Sequence, residues 1–198
     1  KLGVPLEVGK ELLKERIGEV ARAVSGANHM RSVDIARLLE IPYMCVHTPA
    51  DNHVTNYLQG IFDRRKPKTL NDALNILKAI PEYTDALKKH AGPNILIGEG
   101  KKKCGKVFVD MTGGTEGPKR IFSRLSQAGV GTIVAMHLSE EHFKQAKAEF
   151  INVIIAGHIA SDNLGLNLLL DALEKRGKLE IVPCSGFVRV RRYPATQI

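Results

Sequence analysis

Apolar positions recur with a helical period from Leu6 to Val24, with Leu13, Ile17, Val20 and Val24 on one stripe, until Ser25-Gly26-Ala27-Asn28 breaks it. Ser32-Val33-Asp34 then caps a second helix carrying Ile35, Leu38 and Leu39. It ends before Pro42, because the residue ahead of a proline disfavours helical backbone. The short apolar run Tyr43–Val46 predicts a strand and Val54–Asp63 a helix. A basic turn around Pro67 separates these from two helices, Leu70–Ala79 and Glu82–His90, divided by Pro81.

Past Gly92-Pro93 the period changes. Asn94–Gly105 reads as a strand with a charged hairpin or linker. From there strands Val107–Val109, Thr132–Ala135 and Val153–Ala156 alternate with helices Arg120–Ala128, Ser139–Glu149 and one from about Ser161 to Arg176. Glu180–Pro183 and Gly186–Arg192 read as two further strands. A βαβαβα run implies an α/β fold with a largely parallel sheet. The boundary is placed at Gly92-Pro93, giving an N-terminal half (1–92) and a C-terminal α/β half (93–198).

Chemistry concentrates where two of these runs end. Val153–Ala156 is followed by Gly157-His158-Ile159-Ala160-Ser161-Asp162, and Tyr43–Val46 by His47-Thr48-Pro49-Ala50-Asp51. In each, a histidine and an aspartate four residues apart leave a predicted strand end, where open α/β sheets bind ligands. Either motif alone also fits an ordinary hydrogen-bonded histidine and a helix-capping aspartate. Their recurrence suggests one shared site, whose mixed nitrogen and oxygen donors suit zinc, manganese, iron or cobalt.

Tyr43-Met44-Cys45-Val46-His47-Thr48-Pro49-Ala50-Asp51 and Ile155-Ala156-Gly157-His158-Ile159-Ala160-Ser161-Asp162 resemble the two metal-ligand motifs of the NGG1-interacting-factor-3-like family. Members of that family are often described as GTP cyclohydrolase I type 2. The likeness runs from about Ile35 to the end of the chain. It implies His47, Asp51, His158 and Asp162 as metal ligands, a centre of two divalent transition-metal ions, and a homo-oligomer, a hexamer built of dimers, with the Arg64–Lys68 turn or the helices around Pro81 exposed for contacts. The expected architecture is three-layered, with mixed, largely parallel sheets in two similar halves facing a shared metal cleft. Two departures stand out. Asp162 occupies a position where the family commonly has glutamate, and nothing before His47 matches the family's early His-His-Pro motif. Because Leu2-Gly3-Val4-Pro5 reads like the middle of a domain, that motif is expected upstream of Lys1.

Two further positions extend the candidate site. His137 leaves the strand Thr132–Ala135 and is the candidate acid, base or substrate-binding group beside the metals. Asp110-Met111-Thr112-Gly113-Gly114-Thr115-Glu116-Gly117-Pro118 is a strand-to-helix loop in which Gly113 and Gly114 are candidates for holding a substrate phosphate, although it matches neither a P-loop nor a dinucleotide fingerprint. A tight loop with no ligand is the competing reading.

Composition narrows the function classes. The 198 residues are 43% hydrophobic, enough for a real core. No apolar run is long enough to span a membrane and no signal peptide shows, so a cytoplasmic location is the expectation. Cys45, Cys104 and Cys184 are odd in number and widely spaced, with no Cys-x-x-Cys, so neither a disulfide framework nor a zinc finger is indicated, and Cys45 and Cys184 read as packed thiols. The net charge of +8 invites a polyanion, but Arg64-Arg65-Lys66, Lys101–Lys103 and Arg189 with Arg191 and Arg192 are separate in sequence and read as solvated faces. Nucleic acid is therefore not the expected partner. The leading expectation is a metal-dependent hydrolase acting on a nucleotide or other phosphate-containing molecule. The rivals are a metal-binding regulatory or scaffold protein without turnover and a polyanion-binding module.

Overall fold

Alternation along three short strands decides the architecture. On one face Val109, Val134 and Ile154 point into a core with Val54, Leu58, Leu77 and Leu164, while Ile133, Ala135 and Val153 point to the other face against Phe122, Leu125 and Ala146. A sheet buried on both sides needs helices on both sides. A computed structural model describes residues 2–27, 29–112 and 116–192. In it the elements run α1 (Leu6–Val24), α2 (Arg31–Leu38), α3 (His47–Arg65), α4 (Leu70–Lys78), α5 (Pro81–Lys88), β1 (Asn94–Ile97), β2 (Lys106–Asp110), α6 (Ile121–Gln127), β3 (Val130–Ala135), α7 (Glu140–Ala148), β4 (Asn152–Ile155) and α8 (His158–Glu174).

The strand order is β1-β4-β3-β2, with β2, β3 and β4 parallel and β1 antiparallel at one edge. Helices α6 and α7 make the two crossovers and cover one face. The other face is covered by α3, α4, α5 and α8. The α/β class, the three layers and the largely parallel pairing are as expected. Where the expectation had sheets in two similar halves, the described residues form one sheet, and residues before Gly92 contribute helices to it. The larger core draws on both sides of the expected 92/93 boundary, from Val54 and Leu77 to Ile154 and Leu164.

Three local expectations give way. Tyr43–Val46 is not a strand, because Ile41, Tyr43 and Met44 stay exposed and find no sheet edge; α3 begins directly at His47. Glu180–Pro183 and Gly186–Arg192 are not strands either. Side chains fasten that tail instead: Asn167 Nδ2 donates to Val188 O (2.9 Å), and the Arg189 guanidinium reaches Asp171 and Glu174 on α8. Cys45 and Cys184 are exposed, and the buried thiol is Cys104. On α1 only Leu12 is buried, whereas Leu13 and Ile17 of the expected stripe keep half or more of their surface exposed.

Candidate metal centre

Both histidine-aspartate motifs turn out to be helix starts. His47 opens α3 and His158 opens α8, so each aspartate lies one turn along the same helix face as its histidine. His47 Nδ1 is 3.3 Å from Asp51 Oδ2, and His158 Nε2 is 3.7 Å from Asp162 Oδ2. The chain reaches α8 through Gly157, whose φ of 103° side chains rarely adopt and whose missing Cβ would lie 2.8 Å from Ala91 O. Ser161 Oγ donates to Gly157 O (2.6 Å) and accepts from the buried Tyr83 hydroxyl (2.9 Å), which ties this first turn to α5. Burial pushes the Tyr83 phenol well above its ordinary value, so it stays a donor.

Close packing of α3 on α8 brings the two starts together. A Cβ on Gly165 would meet Ala50 O at 2.7 Å, so the helix backbones touch between Asp51 and Asp162. The electrostatics register this proximity. Partial burial raises the Asp162 carboxyl above the usual carboxylate range. His158 pulls it back, the Asp51 charge pushes it up again, and His47 and His137 pull it down.

His137 comes from the neighbouring strand. The parallel register pairs Ala135 with Ile155, so His137 and His158 emerge side by side and their rings stack at 5.0 Å between centroids. The Glu116 carboxylate lies 3.8 Å from His137 Nδ1, beyond hydrogen-bond length and close enough to attract a protonated imidazole. The same carboxylate accepts from Ser139 N and lies 2.8 Å from His142 Nδ1, while His142 Nε2 donates to Gly117 O (3.0 Å). Sequence reasoning passed over Glu116 and His142. The available signal was Ser139-x-x-His142: Ser139 caps α7 by accepting from His142 N, which draws the imidazole back over the helix start. A cavity of about 370 Å³, walled by Leu6, Leu13, Phe108 and Phe122, reaches His137 and His142. Gly113 and Gly114 lie outside the described residues.

The donor set therefore matches a borderline cation in kind, and the Asp51–Asp162 repulsion is one that a cation would relieve. As the side chains stand, each imidazole faces its own carboxylate. Among the described residues no group of three or more His, Cys, Asp or Glu side chains has the arrangement to hold a metal ion.

No family model matches the chain, and no curated protein does. Among solved structures the chain is similar to the crystal structure of a NIF3 superfamily protein from Sphaerobacter thermophilus, at 26% identity and a TM-score of 0.69. The match covers 88% of this chain and 65% of that one, so the chain spans less than two thirds of that protein's length. That fold likeness over most of the chain agrees with the motif resemblance at His47–Asp51 and His158–Asp162, and together they support membership of the NGG1-interacting-factor-3-like (NIF3) superfamily.

Proposed function

We propose that the protein binds divalent transition metal through His47, Asp51, His158 and Asp162, and that it is a hydrolase acting on a nucleotide or other phosphate-containing substrate. One observation carries the reading: the close contact of Gly165 on α8 with Ala50 on α3 brings the two histidine-aspartate helix starts together, and the His137 ring stacks on that of His158 at 5.0 Å. A bound ion of this class lowers the pKa of a coordinated water to near neutrality and neutralises charge on a phosphoryl oxygen. The chain's own contribution is positional. The His137 imidazole, stacked on the His158 ring and with the Glu116 carboxylate 3.8 Å from its Nδ1, is the group placed to give or take a proton. The apolar cavity beside His137 excludes water and takes the non-reacting part of a substrate.

A second reading, a non-catalytic metal-binding regulatory or scaffold protein, draws support from Asp162, a shorter arm than the glutamate the resembled family commonly has there. Turnover separates the two. Metal-loaded protein is assayed against a panel of nucleotides and phosphomonoesters alongside His137→Ala. Hydrolysis that falls by a factor of roughly 10²–10⁴ in the variant, with metal content retained, supports the enzyme. Metal bound without turnover of any substrate supports the scaffold.

A further inference from the structure

Two basic runs that sequence keeps more than thirty positions apart are neighbours in the fold. The Arg64–Lys68 turn ends α3, and Lys101–Lys103 lies in the loop between β1 and β2. Backbone bonds join the two. Leu70 N donates to Lys102 O (3.0 Å), Cys104 N donates to Lys68 O (3.0 Å), and Thr69 bridges to Lys103. Arg64, Arg65, Lys66, Lys68 and the three lysines of the loop are all exposed. Among the described residues none of the seven is in an ion pair with a carboxylate. The acids nearby are Asp63, Asp72 and Glu99. Of these, Asp72 is occupied capping α4 through Thr69, which holds its carboxyl below the ordinary range, and Asp63 accepts from Gln59.

This face stands apart from the candidate metal centre. It lies at the amino end of the parallel strands, whereas His137 and His158 leave the carboxyl ends. Helix α3 alone separates His47 from Arg65 by roughly 27 Å at 1.5 Å per residue. A cleft beside the basic turn is walled by Ile61, Ile76 and Asn75.

We propose that this joined basic face binds the phosphate backbone of double-stranded nucleic acid without reading sequence. Unpaired, exposed cations in one place are the electrostatic footprint of such binding. Single-strand binders need aromatic platforms on which bases stack, and the aromatic of this region, Phe62, is buried in the core. A membrane surface holds a polybasic patch stably only with an apolar anchor beside it, and no exposed large hydrophobic lies among these residues. The runs looked like independent solvated faces in the sequence, and the backbone pairing at Thr69–Leu70 makes them one.

The test is fluorescence anisotropy of the full chain with two short labelled DNA duplexes, one the scramble of the other, across a salt series. Equal affinity for both is expected, falling linearly in log–log form with salt. R65E/K68E and K102E/K103E should each weaken binding roughly tenfold or more and reduce the slope by about 2. The charge-matched K14E/K178E should leave the slope unchanged. Circular dichroism verifies folding, and K102Q/K103Q replaces any reversal variant that unfolds. Absence of duplex binding at low salt, an equal loss in K14E/K178E, or binding only to single strands or to phosphatidylserine vesicles would overturn the proposal.

Discussion

Gly165 of α8 lies against Ala50 of α3 so closely that a methyl group on the glycine would sit 2.7 Å from the Ala50 carbonyl oxygen. This contact sets the distance between the two histidine-bearing helix starts. Gly165→Ala must push the helices apart, and overpacking of this kind destabilises by about 1–3 kcal/mol. We expect a lower denaturant midpoint by that amount, together with weaker metal binding. Metal affinity that stays at the wild-type value in a folded G165A protein would show that the crossing does not position the site.

The titration of Asp162 reports the same proximity without any metal. Its carboxyl is raised chiefly by burial, and next by the Asp51 charge against the pull of the histidines. Asp51→Asn removes a raising charge and should lower the Asp162 titration midpoint, while His158→Ala removes the strongest lowering charge and should raise it. Carboxyl-carbon NMR titration reads both. Because the folded value lies above the unfolded one, the stability that protonated Asp162 contributes is full below the ordinary carboxylate value and is lost as pH rises through the raised value. Asp51→Asn should therefore shrink this acid-side gain.

The tail is held by charge. Arg189 reaches Asp171 and Glu174 with all three side chains largely buried, whereas the Arg191 side chain, also paired with Glu174, is half-exposed. Arg189→Ala leaves the buried Asp171 carboxylate without its cation and should cost about 3–5 kcal/mol by chemical denaturation. Arg191→Ala, whose pair is exposed to solvent, should cost much less. Equal effects would contradict this assignment.

What the sequence made legible follows the strength of each local signal. The βαβαβ run from Lys106 to Ile155 was readable because its strands are rich in β-branched residues, flanked by glycines and separated by helices, the second of them capped by Ser139. Tyr43–Val46 offered only four apolar residues, too few to tell a strand from the lead-in to a helix, and with no sheet edge to pair with they stay outside both as the chain enters α3. The spacing of His47 to Asp51 and His158 to Asp162 pointed to one site, although the residues sit on helix starts rather than in strand-end loops. Glu116 remained hidden because its role depends on three partners on the α7 side, His137, Ser139 and His142, that no spacing near Glu116 encodes. The junction of the basic runs was hidden for the same reason, since it rests on backbone bonds across the α3–α4 and β1–β2 connections.

Assembly is the next expectation. Leu13, Ile17, Leu38 and Met44 leave large apolar side chains exposed on α1, α2 and the segment ahead of α3. Where such side chains adjoin in one patch they mark association. Multi-angle light scattering should give a mass well above the 21.7 kDa of one chain, with Leu38→Glu shifting it downward. A monomer at micromolar concentration would contradict the homo-oligomer.

The central claim is that the two helix starts build one metal-binding centre. Elemental analysis and zinc or manganese titration of the purified chain, of His47→Ala with Asp51→Ala, and of His158→Ala with Asp162→Ala test it most directly. If the four side chains share the ions, the wild type binds divalent metal and each double variant alone loses most of it. Metal content unchanged in either double variant would contradict a shared centre.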